Sequence, residues 1–324
     1  MLKSLVEARA AGTGTTCFIR ATGFAIRRQG VTVKAMVEGA VFREGWTLDE
    51  VQWSRFDASK VDPHMLAAIK AAALVEYAAP DYVVYLKRVF ATADTATIES
   101  LERWGREELQ HGQALSRWAA MADPSFDFEK TFARFKAGYH PEHFKGDDET
   151  SIRGSRRGEM IARCVVESGT SSYYSAIRDA TEEPLLQEIA GRIAADEFRH
   201  YKLFYQTLNA QAEPDLPFWK KAMVAIGRIT ESDDDELCYA YYCATVPADR
   251  EASTPYVRAD FAKASYKTSM GLYRRSHIQK LAQMVSKAIG VDPQGRITKL
   301  AGALLWRMLR ARAGLARVTA DAAA

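Results

Sequence analysis

Two short stretches of this chain, Glu107-Glu108-Leu-Gln-His111 and Asp196-Glu197-Phe-Arg-His200, carry one pattern: an acid, then a glutamate, then a histidine three residues on. Residues three apart on an α-helix share a face, so Glu108 with His111 and Glu197 with His200 can each grip one cation. Composition alone explains this poorly. Six histidines in a chain of 324 residues with 22 glutamates should find a Glu three positions upstream roughly 0.4 times.

Both stretches lie in long segments rich in Ala, Leu, Glu, Lys and Arg, the strong helix formers. These predict helices at 64–89, 95–121, 156–180, 184–211, 215–229, 233–246, 256–289 and 296–317. Asp62 with Pro63, Thr95 or Thr97, and Thr181-Glu-Glu-Pro184 supply the start signals. Strand-like alternation is scarce. A polar connection from Asp123 to Ser155, with five Gly or Pro residues, suits a crossover joining two antiparallel helical hairpins.

Each hairpin offers one more carboxylate at matching depth. The midpoint of Glu76 and Glu108 falls in the 91–94 turn, and that of Glu167 and Glu197 in the 181–184 turn. Each pair therefore sits about 15 residues, or ~23 Å, from its own turn. Glu76 is the only acid between His64 and Pro80 and is surrounded by alanines, while Glu167 shares a face with Cys164, Thr170 and Ser171. Four carboxylates converging in a dry core need a counter-charge, which two divalent cations supply. Glu76, Glu108, His111, Glu167, Glu197 and His200 together form the ligand set of di-iron or di-manganese bundles. The acid preceding each ligand Glu is placed to hold the imidazole of the opposite helix, pairing Asp196 with His111 and Glu107 with His200. The fold expected is all-α: a ferritin-like four-helix bundle over 61–212, a basic lead-in over 1–60, and a C-terminal helical extension over 213–324.

On Trp104-x-x-Glu107-Glu108-x-x-His111-Gly112, Asp196-Glu197-x-Arg199-His200 and Glu167-Ser-Gly-Thr170, the chain resembles the soluble acyl carrier protein desaturases and related di-iron oxygenases over residues 64–211. The resemblance implies two iron ions, with manganese as the other option, and an O2-dependent oxidation of an unactivated C–H bond. The expected reaction is desaturation or hydroxylation of a fatty acyl chain carried on acyl carrier protein or a similar thioester. It places Thr170 beside the oxygen-binding face as the catalytic hydroxyl, and offers Trp46 or Trp53 as an electron-relay tryptophan. Pro80, four residues after Glu76, should bend the first ligand helix.

No flavin fingerprint, haem motif or CxxC pair is present, so the electrons are expected from an external, ferredoxin-like donor. Basic stretches at Arg153-Gly-Ser-Arg156-Arg157, Arg274-Arg275 and Arg307 to Arg317 are candidate docking faces for an acidic carrier. The last helix has Leu300, Leu304, Leu305 and Met308 set against arginines, and is expected to pack on the bundle or on a second subunit of a homodimer. The expectations also include a cytoplasmic location, no membrane span and no nucleic acid partner. His140-Pro-Glu-His143 reads as a surface loop, Glu231 to Glu236 as a solvated helix start, and Tyr239, Tyr241 and Tyr242 as core aromatics. A ferritin-like iron-oxidising, storage or peroxide-handling protein would use the same ligands, and the roughly 110 residues after the fourth ligand helix favour elaboration around a substrate instead.

Overall fold

Helix starts follow from local capping. In a computed structural model, which describes residues 45–139, 141, 150–231 and 235–314, Asp62 accepts the backbone N–H groups of His64 and Met65 at 2.7 and 3.2 Å. Pro63 then opens α1 (Pro63–Tyr77). The expected helix over 64–89 is in fact two. Pro80 has no N–H for the Glu76 carbonyl, so the chain breaks at Ala78 and resumes as α2 (Ala79–Val89). The bend falls two residues from Glu76. Asp94, rather than Thr95 or Thr97, caps α3 (Thr95–Ala122) by accepting Thr97 N at 2.8 Å.

The 123–155 connection is not a bare crossover. It contains α4 (Phe128–Gly138), capped by Asp127. Phe128, Phe132 and Phe135 lie along one side of it and pack with Ala71, Leu74 and Tyr242. That aromatic spacing outweighs the flanking Pro and Gly residues. Ser155 then caps α5 (Arg156–Ala180), and Glu183 caps α6 (Pro184–Ala210).

Two antiparallel hairpins result. Gly112 of α3 lies against Tyr77 so closely that a Cβ there would meet the Tyr77 backbone nitrogen at 2.7 Å. Lys87 of α2 pairs with Glu102 of α3. In the second hairpin Arg157 donates to the Leu208 carbonyl and Ser171 Oγ to the Ala194 carbonyl, which fixes the register of α5 on α6. Two apolar clusters fill the interior. One gathers Ile69, Leu115, Trp118, Tyr174, Leu185 and Ile189, the other Leu86, Phe90, Trp104, Met160, Tyr201 and Phe204. Glu76, Glu108, Glu167 and Glu197 fall between these clusters along their helices.

The later helices are α7 (Phe218–Thr230), α8 (Asp235–Thr245), α9 (Arg258–Leu272), α10 (Arg275–Ala288) and α11 (Arg296–Arg312). The expected 256–289 helix divides because Arg274 is pulled aside, its backbone N–H donating to His277 Nδ1 at 3.1 Å and its guanidinium to the Asp179 carbonyl at 3.0 Å. Met284, Val285 and Ala288 of α10 and Ala225 of α7 join the same apolar cluster as Met160 and Tyr201. Residues 45–60 also pack on the helices, with Trp46 and Val51 buried, so a lead-in ending at residue 60 runs too far. Most of that lead-in, Ser232–Asp234 and the His140 and His143 loop positions lie outside the described residues. Every described element is a helix or turn, and no described helix is long and apolar enough to cross a membrane.

Candidate metal centre

Six side chains meet inside the two hairpins. Glu76, Glu108, His111 and Glu197 bring one atom each to within 4.8 Å of one another, as do Glu108, Glu167, Glu197 and His200. Each group could hold a cation, and Glu108 and Glu197 belong to both. Their geometry shows how the sharing works. Glu108 turns Oε2 to His111 Nδ1 at 3.3 Å and Oε1 to His200 Nδ1 at 3.1 Å. Glu197 turns Oε1 to His111 Nδ1 at 3.2 Å and Oε2 to His200 Nδ1 at 3.8 Å. Both carboxylates thus span the gap between the imidazoles. Glu76 and Glu167 stand at the two ends.

The outer nitrogens of both rings are held as the sequence predicts. His111 Nε2 lies 3.1 Å from Asp196 Oδ2, and His200 Nε2 lies 2.7 Å from Glu107 Oε2. With those protons given outward, each Nδ1 faces the carboxylate cluster. Asp196 is itself held by Arg199 and by Trp46 Nε1 at 2.9 Å. Of the two tryptophans, Trp46 is the one that reaches the centre. Trp46 stacks on His111 with ring centroids 6.1 Å apart, whereas Trp53 donates to the Leu48 carbonyl under Arg117. Thr170 Oγ1 donates to Glu197 Oε2 at 2.6 Å. Tyr174, seven residues after Glu167 and so on the same helix face, gives its hydroxyl to Glu76 Oε1 at 2.5 Å. Only that i to i+7 spacing hints at Tyr174 in the sequence.

The centre is dry and short of positive charge. All six residues are buried, His111 completely. Burial first, then the neighbouring carboxylates, pushes Glu76 and Glu167 well above the usual carboxylate range. Burial works the same way on Glu108, but the charge of His200 and the close approach of the His111 imidazole more than offset it and hold that carboxyl low. Both histidines are raised, because their carboxylate partners outweigh the burial that opposes their charge. Both oxygens of Glu167, Oε1 of Glu197 and Nδ1 of His200 have no hydrogen-bond partner. Buried acceptors of this kind cost stability unless a cation takes them, and oxygen with imidazole donors suits iron, manganese or zinc. The residues fit a bound metal pair.

A test follows at Glu167. In the metal-free protein Glu167→Met should raise stability by about 1–3 kcal/mol, since it removes a desolvated acid without breaking a hydrogen bond. The sign follows from linkage. A raised carboxyl costs stability as pH climbs above its unfolded value, so the advantage of the variant should widen from pH 5 to pH 8. Thermal melting with and without added metal checks this, and a destabilised metal-free variant would contradict it.

A cavity of about 290 Å³ opens on the outer side of His200, lined by Trp46, Trp104, Glu107, Gln110, Arg199 and Leu203. The basic stretch expected to face a partner is engaged within the fold. Arg153 forks onto Glu231, Arg156 holds the Val89 carbonyl, and Arg157 caps the end of α6 through Leu208, Gln211 and Glu213. Compared with known proteins, the chain matches no family model and no curated sequence.

Proposed function

We propose that the protein is an O2-dependent di-iron oxidoreductase built on a ferritin-like bundle, acting on an unactivated C–H bond of a fatty acyl chain by desaturation or hydroxylation. One observation carries this reading: two four-residue groups share Glu108 and Glu197 while neither oxygen of buried Glu167 has a hydrogen-bond partner. Glu76 and His111 would complete one iron site, and Glu167 and His200 the other. When bound, the iron pair supplies the reduction of dioxygen that drives hydrogen removal.

The chain's own residues do the rest. Glu108 and Glu197, held between the two imidazoles, are the carboxylates that would be shared by both ions. Thr170 holds a proton at Oγ1, directed at Glu197 Oε2, and can give it up or take it back beside the centre. Tyr174 orients Glu76. The apolar clusters on either side exclude water from the centre. Trp46, Asp196 and His111 form a bonded path from the cavity wall toward the centre, suited to electrons from an external ferredoxin-like donor. An acyl carrier protein or similar thioester is the proposed substrate carrier.

Metal analysis with an optical spectrum comes first, then oxygen uptake and product analysis with acyl-carrier and free-acid substrates and a chemical reductant. About two irons per chain and an oxidised acyl product are expected. Absence of metal from a folded protein would reject the reading. Iron oxidation with mineral deposition and no acyl product would assign the same ligands to storage. Trp46→Phe should retain metal content while slowing reduction by the external donor, and an unchanged reduction rate would remove Trp46 from the path.

A further inference from the structure

The last helix does not hide its apolar residues as its amphipathic sequence suggests. Against α10, α11 presents Thr298 and Gly302, both buried, with Gly302 seated on Gln279. Ile297, Leu300, Leu304 and Met308 point the other way and are 73, 61, 54 and 44% exposed. At intervals of three and four residues they form one continuous outward stripe. Helix α7 repeats the arrangement. Ala225 is its buried contact, while Trp219, Met223 and Ile226 stand outward at 57, 62 and 62% exposure. Helix α11 packs on α10, where Gln279 bonds the Thr298 carbonyl, while α7 packs on α5 and meets the end of α10 only through Ala225, in one apolar cluster with Met284 and Val285, and Lys221 near Gly290.

The charge around the α11 stripe is one-sided. Between Arg274 and Gly314 there are nine lysines and arginines and a single acid, Asp292, in a chain whose net charge is only +3. On α7, by contrast, Lys221 and Arg228 are paired with Asp215 and Glu231. Arg296, Lys299 and Arg307 are exposed beside the α11 stripe.

We propose that α11 docks this protein in the plane of an anionic lipid surface. An interfacial helix needs an apolar stripe to sink below the headgroups and cations at its flanks to meet lipid phosphates, and α11 has both without an opposing acid. The charge also decides against the other occupants. A second copy seated face to face would bring cation-rich helices together. A nucleic acid would use the arginines but leave Ile297, Leu300, Leu304 and Met308 in water. This inference does not depend on the metal centre or its reaction.

The full-length protein should cosediment with vesicles of phosphatidylcholine mixed with phosphatidylglycerol, far less with phosphatidylcholine alone, and less as salt is raised. Leu300→Asp combined with Leu304→Asp should weaken vesicle binding at least about tenfold, with melting temperature and metal content unchanged because both side chains are already exposed. Arg296→Gln with Lys299→Gln and Arg307→Gln should remove the preference for the anionic vesicles. No cosedimentation of the parent protein, or equal binding by the double aspartate variant, would overturn the proposal. A stable dimer in solution that the aspartates dissociate, without vesicle binding, would overturn it in favour of a second copy. Selective retention of an acidic protein with no affinity for vesicles would likewise overturn it.

Discussion

Glu197→Ala is expected to lose both metal ions, and Glu108→Ala the same, whereas Glu76→Ala and Glu167→Ala should each weaken one site more than the other. The difference rests on which oxygens face which ring. Glu108 and Glu197 each turn one oxygen toward His111 and the other toward His200, so either truncation removes a donor from both groups. Glu76 and Glu167 each belong to a single group. Loss of an outer partner such as Asp196 should cost about 10–100-fold in metal affinity, and loss of a shared carboxylate more than that at both positions. Elemental analysis after dialysis should fall from about two ions per chain to none, with helix content by circular dichroism unchanged. Retention of one tightly held ion in Glu197→Ala would show that the carboxylate is not shared.

The pH dependence of loading has a definite sign. In the metal-free protein His111, His200, Glu76 and Glu167 are all raised. A metal must displace the protons they hold, so loading releases protons and weakens as pH falls. His64 and His277 lie elsewhere, His277 bonding Asp179 at 3.0 Å, and their alanine variants should keep both ions.

How far the sequence foretells this centre depends on the range of each interaction. The six proposed ligands and the pairings of Asp196 with His111 and Glu107 with His200 follow from spacing within helices and from equal distances to two turns. Those constraints are local and geometric. Which of Trp46 and Trp53 lies at the centre could not be read that way, because the contact that places Trp46 there, with Asp196, spans 150 residues. Tyr174 stayed unread for a similar reason: its partner Glu76 sits on another hairpin, 98 residues away. The aromatic spacing of α4 was present but masked by Pro and Gly signals on either side. At Arg274 the break between α9 and α10 is made by Asp179 and His277, partners supplied by tertiary packing. Helix α11 does pack on the helices, but through Thr298 and Gly302 and not through its apolar stripe, because an apolar face says that burial is wanted, not what provides it.

Glu183→Ala should be among the most destabilising single substitutions in the chain, at about 3–5 kcal/mol. In sequence this residue is half of an acid pair in a turn, which ordinarily predicts exposure. It is instead fully buried. One oxygen accepts the Asp57 and Leu185 N–H groups at 3.0 and 3.1 Å, and the other accepts Trp118 Nε1 and the Leu186 N–H at 2.7 and 2.6 Å. Alanine would remove the cap of α6 and leave the Trp118 N–H of α3 unpaired in the core. It would also release the segment near Asp57 from the bundle. The cap alone accounts for about 1 kcal/mol, and the buried indole and amide donors supply the remainder. Urea unfolding should show a lower midpoint at unchanged slope, and a shift worth under about 1 kcal/mol would mean that these donors find water or other partners. Glu167 makes the contrast physical. Both are buried glutamates in the second hairpin, yet Glu183 accepts four hydrogen bonds on its two oxygens and Glu167 accepts none, with His200 Nδ1 no nearer than 3.7 Å. Removing the first should therefore destabilise the metal-free fold, and replacing the second with methionine should stabilise it, because a buried carboxylate is stabilising only when donors or a cation surround it.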